Sequence, residues 1–442
     1  MHDLLKTPTI EELKKLKRWR TSTFWVCLIG YIGYYLCRKN LSAAVPLIGE
    51  AFSYTNSELG LIALSGEIAY AIGKFINGPM ADKIGGKKIF ILGMIGAITA
   101  NFLFSIGSDL NYFICIWCVC RYFLSMGWGG LTKMIGNWYE PERNGTIMGL
   151  ISLNFQFGGV LATLLAGFIV AQGGGWREVF IFPPLILFLV MIWSIISSKN
   201  SPNDVIPNTN FGKSLNGEVS ALKKESSSNI KNKPSEIIKG LLLLPLFRKL
   251  LLYSVLTTFL RSIFFFWTPK LLVDIGMGTS NAILKSALFP LLGCLGTIFL
   301  GWYTDRYAKN GDRAKMMWIM LSGLVVSLLC VSILVSQPQI NKNLVVIFIS
   351  LCGLFLLGPY SMSSGCLTLD IAGADAAGSA TGMIDGLGYM GGALAVWSAG
   401  YLSDSLGWGE VFIVLSVCGV LATSCAFMMS LEFQKSSNKK AC

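Results

Sequence analysis

Long apolar runs alternate with short polar, basic stretches along the whole chain. Twelve runs approach the roughly 20 residues that a membrane-crossing helix needs. They begin near Trp25, Gly60, Lys88, Asn111, Gly145, Glu178, Leu250, Ser286, Met316, Leu344, Ala377 and Val411. In lipid a backbone must satisfy its own hydrogen bonds, so such runs are read as helices. The pattern predicts an all-α membrane protein with twelve transmembrane helices. Residues 1–22 form a polar, basic tail without the apolar core and small-residue site of a removable signal, so span 1 is expected to be retained. Residues 198–244 are rich in Ser, Asn and Lys and predict a mobile linker. It divides the chain into a six-helix half over 23–197 and another over 245–431, followed by a tail at 432–442.

Charge refines this picture. Only 14% of the 442 residues are charged, against a 53% hydrophobic share; a soluble domain would carry about a quarter charged residues. Of the 36 Lys and Arg, 26 fall on the side of the two termini, 4 on the opposite side, and the rest within or at the edges of spans. That asymmetry predicts cytoplasmic N- and C-termini. It also accounts for the net charge of +12 without nucleic-acid binding, since no basic stripe lies on a soluble face.

The two halves repeat each other. An offset of 223 carries Arg38 to Arg261, Pro46 to Pro269, Gly78 to Gly301, Asp82 to Asp305 and Lys83 to Arg306. An offset of 233 carries Gly158-Gly159 to Gly391-Gly392 and Gly167 to Gly400, and Gly175-Trp176-Arg177-Glu178-Val179-Phe180 returns as Gly407-Trp408-Gly409-Glu410-Val411-Phe412. Two parallel halves of this kind resemble the major facilitator fold, whose substrate binds near mid-membrane. The loop Gly78-Pro-Met-Ala-Asp82-Lys83-Ile-Gly85-Gly86-Lys87-Lys88 and its echo Gly301-Trp-Tyr-Thr-Asp305-Arg306 resemble that superfamily's loop signature. They make Asp82, Lys83, Asp305 and Arg306 a candidate conformational latch, in which the Asp pairs with basic groups or a helix N-terminus; the plainer alternative is a positive-inside anchor.

Cations inside spans are expensive and mark function. Arg38 and Arg261 occupy matched positions, one per half, and Lys74 lies in span 2. Guanidiniums fit phosphate in two-pronged fashion, so an anion with several acceptor oxygens is the ligand these residues suggest. Pairing with Glu67 or Asp385 is the structural alternative. Tyr31 and Tyr35 share the helix face of Arg38 and are either hydrogen-bond donors or packing residues.

The stretch Tyr34-Tyr35-Leu-Cys-Arg38-Lys39-Asn40, with Lys74, Arg261, Met126-Gly127-Trp128 and Asn137-Trp138-Tyr139, resembles the organophosphate:phosphate antiporters. That family includes glycerol-3-phosphate and hexose-6-phosphate transporters. The resemblance implies that Arg38 and Arg261 grip phosphate and that Lys74 assists. It further implies a secondary transporter that exchanges a phosphorylated solute for inorganic phosphate. No catalytic nucleophile–base pair is read in the sequence, so an enzyme is not expected; a monomer without cofactor is expected, and, with no targeting segment read, a bacterial inner membrane. A membrane sensor of the same fold and a proton-coupled symporter are the rival readings. The chain departs from the pattern at three places. Span 5 has Asn154-Phe155-Gln156 where many members have a His, so Asn154 and Gln156 stand as polar substitutes. Gly129-Gly130 replaces a usual Pro pair, and span 4 carries Arg121. Asp385 in span 11 is a candidate acceptor for a sugar hydroxyl. Cys115, Cys118 and Cys120 lie in an apolar helix without a His and read as packing rather than as a metal site.

Overall fold

The computed structural model describes residues 8–139, 147, 151, 154–207, 209, 211, 234–307, 312–363 and 366–441. Its helices are α1 (Ile10–Phe52), α2 (Asn56–Ile84), α3 (Gly86–Ser105), α4 (Leu110–Leu124), α5 (Met126–Trp138), α6 (Asn154–Ala171), α7 (Trp176–Ser197), α8 (Pro234–Leu243), α9 (Pro245–Asp274), α10 (Thr279–Ser286), α11 (Leu288–Tyr307), α12 (Ala314–Val335), α13 (Lys342–Ser363), α14 (Cys366–Ser405) and α15 (Trp408–Ala441). Among the described residues, nine stretches are long and apolar enough to cross a membrane, two of them running through a helix break: Leu110–Trp138 and Thr279–Thr304. The other three predicted spans fall on α1, α6 and α14. The first of these carries Arg38-Lys39 in its interior and the last carries Asp385, which lowers their apolarity. The span start read near Gly145 lies outside the described residues.

The chain forms two compact units. Unit 1 comprises residues 1–41, 69–165 and 176–231; unit 2 comprises 42–68, 166–175 and 232–442. The units therefore do not follow the sequence halves: the far ends of α1 and α6 and the start of α2 fold with the second half.

Unit 1 is built on glycine. A Cβ on Gly86 would lie 2.6 Å from the Gly130 carbonyl oxygen, and one on Gly130 would lie 2.8 Å from that of Gly86, so α3 and α5 touch backbone to backbone. This gives the departure at Gly129-Gly130 a reason: the second position admits no side chain. Gly85 has φ 95°, a left-handed turn that suits glycine. The following Lys87 donates from Nζ to the carbonyls of Ile195 and Ser198, 2.7 Å each, and so caps the C-terminal end of α7. Polar pairs pin α1 to α3. Tyr34 donates to the Phe90 carbonyl at 2.5 Å, and Asn40 donates to Asn101. Asn101 in turn donates to Cys120 Sγ at 3.3 Å, a role for that thiol that its apolar surroundings did not advertise.

The start of the predicted linker is part of unit 1. Trp138 Nε1 donates to the Lys199 carbonyl at 2.9 Å and Asn137 Nδ2 to that of Asn200 at 3.0 Å. Asn200 Oδ1 accepts from the Lys87 amide at 3.1 Å. A 3₁₀ turn at Pro202–Asp204 carries a Ser201–Asp204 capping box, Ile206 and Thr209 are buried, and Arg20 lies 4.9 Å over the Phe211 ring. The Asn-Trp-Tyr motif at 137–139 is thus the dock for this strap.

In unit 2, α9 packs against α14 and α15, α11 against α13, and α12 against α15. Pro269 cannot donate to the Phe265 carbonyl one turn back. Ser42 Oγ, from the far end of α1, supplies that bond at 3.0 Å and reaches the Phe266 carbonyl at 2.8 Å. The repeated Gly-Trp turns also have visible roles: Gly407 has φ 87°, and Trp408 Nε1 donates to Asp274 at 2.9 Å.

Candidate functional site

Spacings of three and four residues put Glu67, Tyr70 and Lys74 on one face of α2. In unit 1 the Tyr70 ring is 1% exposed, and cations from three helices converge on it. The guanidinium carbon of Arg38 lies 4.5 Å from the ring centroid, that of Arg121 4.6 Å, and Lys74 Nζ 5.4 Å. Arg38 Nη1 also donates to the Tyr70 hydroxyl at 3.3 Å, and Arg38 sits 5.4 Å over Tyr35. An aromatic face attracts cations, by about 2 kcal/mol or more where water is excluded. Arg38 and Lys74 are half-buried and Arg121 is 2% exposed, so Arg121 forms the inner layer of the cluster.

The predicted tyrosines divide. Tyr35 stacks on Arg38 and lies against Gly158, where an added Cβ would approach its side chain to 2.8 Å. Tyr31 packs on Trp128, ring centroids 5.4 Å apart, and on Tyr34 and Tyr35. Asn154, at the start of α6, is 1% exposed, and among the described residues neither its amide nitrogen nor its amide oxygen has a hydrogen-bond partner. Burying such groups unpaired costs about 1–3 kcal/mol each. The side chains of Gln156, Asp82 and Asp305 lie outside the described residues. Lys83 and Arg306 are exposed in the last turns of α2 and α11.

In unit 2, Arg261 on α9 is half-buried, 4.6 Å over the Tyr360 ring of α13 and 5.2 Å over Phe265. Asp385 is half-buried on α14, which packs against α9. Each repeat-related arginine therefore rests on a tyrosine ring. Tyr70 and Tyr360 escaped the sequence reading. The available signal for the first was its place one turn from Lys74 on the Glu67 face; Tyr360 carries only its Gly358-Pro359 context.

Cations inside apolar helices, seated on aromatic rings in two repeated halves, define the class: a polytopic helical membrane transporter. The family model of the Major Facilitator Superfamily matches residues 27–396 and 287–441, and the chain belongs to that superfamily, whose members carry solutes and are not enzymes. Similar curated proteins include a "Probable hexose phosphate transport protein" of Chlamydia trachomatis, 25% identical over 92% of this chain and 90% of its relative. The "Glycerol-3-phosphate transporter" of Bacillus subtilis is 27% identical over 92% of this chain and 91% of its own. The "Membrane sensor protein UhpC" of Escherichia coli is 26% identical over 93% and 92%. Among solved structures, a bacterial homologue of the human lysosomal transporter Spinster matches with TM-score 0.78 at 15% identity, covering 95% of this chain and 98% of that one. The D-xylose–proton symporter matches with TM-score 0.74 at 13% identity, covering 93% and 97%. These structures share the fold. The twelve-span architecture and the resemblance to organophosphate transporters read from the sequence agree with these findings.

Proposed function

We propose that the chain is a secondary transporter that exchanges a phosphorylated organic solute, of the hexose-6-phosphate or glycerol-3-phosphate kind, for inorganic phosphate. The observation that carries this reading is the gathering of Arg38, Lys74 and Arg121 on one buried ring. Such a concentration of positive charge at membrane depth favours an anion with several acceptor oxygens. Arg38 and its repeat mate Arg261 are assigned to the phosphate and Lys74 to its remaining charge. Tyr35 aligns Arg38, and Asn154 offers a donor and an acceptor to ligand or water. Gln156 and Asp385 are assigned to the organic part. Tyr31 is assigned to packing behind them.

Binding a dianion offsets the mutual repulsion of the cations, so the loaded protein changes conformation readily and the empty one slowly; this difference produces exchange rather than leak. Charge asymmetry supports cytoplasmic termini, and the bacterial relatives support spans in an inner membrane. The test is counterflow in proteoliposomes: labelled phosphate inside, unlabelled phosphate esters outside. Arg38→Lys and Arg261→Lys should each lower exchange at least ~100-fold while the protein stays folded, because a point charge lacks the fork. Near-normal exchange in both variants would refute the site. A wild-type protein that binds phosphate esters but moves none would instead favour a sensor, as the name of the Escherichia coli relative suggests for that protein.

A further inference from the structure

The pattern Gly-x-x-x-Asp occurs at Gly78–Asp82 and Gly301–Asp305, the two candidate latches, and a third time at Gly400-Tyr-Leu-Ser-Asp404. The third copy closes α14. Gly167, the repeat mate of Gly400, is followed at the corresponding place by Ala171, so the first half lacks this carboxylate.

Asp404 is bonded to the N-terminus of α2. Its Oδ1 accepts from the Asn56 amide at 3.1 Å and its Oδ2 from the Ser57 amide at 2.7 Å. Asn56 Nδ2 adds a bond to Ser403 Oγ at 3.1 Å. The next amide, that of Glu58, donates locally to Thr55 Oγ1 at 3.2 Å, and the Glu58 carboxylate accepts from the Thr55 amide at 2.9 Å. All four orphan amides that open the helix, Thr55 to Glu58, are therefore satisfied, two of them by a carboxylate from the other half of the sequence. Charge suits the bond, since the helix N-terminus carries partial positive charge.

The approach is close by construction. A Cβ on Gly400 would collide with the Asn56 carbonyl, and one on Gly60 would lie 3.2 Å from Trp397 Cα. Trp267 Nε1 spans the same layer to the Val396 carbonyl at 2.8 Å. Yet Asp404 is exposed, so water can replace its bonds at small free-energy cost. Contacts that are tight, polar and wet at the rim are what a surface that must part repeatedly requires.

We propose that Asp404 is a gate latch on this face: its carboxylate holds the start of α2 against the end of α14 in the state seen here, and releases it when the transporter opens there. The inference rests on the chain being a transporter and not on which solute it carries. Two measurements on the full chain in proteoliposomes test it. First, Asn56→Cys with Ser403→Cys places two thiols where the present side chains are hydrogen-bonded. Oxidative cross-linking should arrest phosphate self-exchange and reductant should restore it; a cross-linked protein that exchanges at the uncross-linked rate would overturn the proposal. Second, Asp404→Asn should raise the rate at which a membrane-impermeant maleimide labels Ser403→Cys by about tenfold, equivalent to about 1.4 kcal/mol, with the native cysteines as background control. An unchanged rate would overturn it too. The labelling needs no transported solute, so a protein that failed to exchange phosphate would count against the proposed function while the latch was still being read.

Discussion

Replacing Tyr70 isolates what the ring does for Arg38. Tyr70→Phe keeps the face on which Arg38 rests at 4.5 Å and removes only the hydroxyl, whose bond to Arg38 is long at 3.3 Å. A bond of this kind is worth about 0.5–1.5 kcal/mol, which raises KM for phosphate about two- to twelvefold. Tyr70→Leu removes the face as well. Losing a desolvated cation–π contact of about 2 kcal/mol brings the total to about 2.5–3.5 kcal/mol, a KM increase of roughly 70- to 400-fold. Arg121, at 4.6 Å from the same ring, also loses its seat, so thermal unfolding must be measured beside phosphate self-exchange. A Leu variant that is folded and has a KM within about twofold of wild type would refute the idea that the ring positions Arg38. A Phe variant as impaired as Leu would show that the hydroxyl alone matters.

Three further substitutions probe other parts of the structure. Asn154→Leu removes two buried polar atoms without a partner among the described residues and, at about 1–3 kcal/mol each, should stabilise the protein by roughly 2–6 kcal/mol in thermal unfolding, while phosphate exchange falls; a loss of stability would show that Asn154 is structural. Ser42→Ala leaves the Phe265 carbonyl beside Pro269 without its donor and should cost about 1–3 kcal/mol in thermal unfolding; an unchanged midpoint would refute that account. Gly130→Val forces a side chain into the contact with Gly86, and overpacking of this kind costs about 1–3 kcal/mol or more. Detergent-solubilised yield and melting temperature should both drop, whereas Gly129→Val, with only the Asn77 carbonyl oxygen at 4.0 Å, should be tolerated.

The scaffold was legible because lipid leaves a sequence little freedom. Apolar runs from Trp25 onward gave the spans, and the matched pairs Arg38/Arg261 and Pro46/Pro269 gave the repeat. The binding cluster was half legible. A cation in an apolar run announces itself, so Arg38, Lys74 and Arg121 were all noticed. A tyrosine in the same run does not, since most buried tyrosines only pack. Tyr31 and Tyr70 look alike in sequence, yet one lies against Trp128 and the other gathers three cations. Composition also hid the order at the start of the linker. Its Ser, Asn and Lys residues spell mobility, but Asn200 and the carbonyls of Lys199 and Asn200 are fixed by partners more than 60 positions away. Long-range capping of this kind leaves no local periodicity to read.

The strap from Ser198 to Phe211 bears on how the molecule can be taken apart. Anyone producing the two repeats as separate polypeptides, for two-plasmid complementation or segmental isotope labelling, would naturally cut where the polar stretch begins. A break after residue 198 would strip Trp138 and Asn137 of their carbonyl acceptors and the Lys87 amide of Asn200 Oδ1, and leave the first fragment frayed at its rim. Moving the break past Phe211 keeps that rim intact.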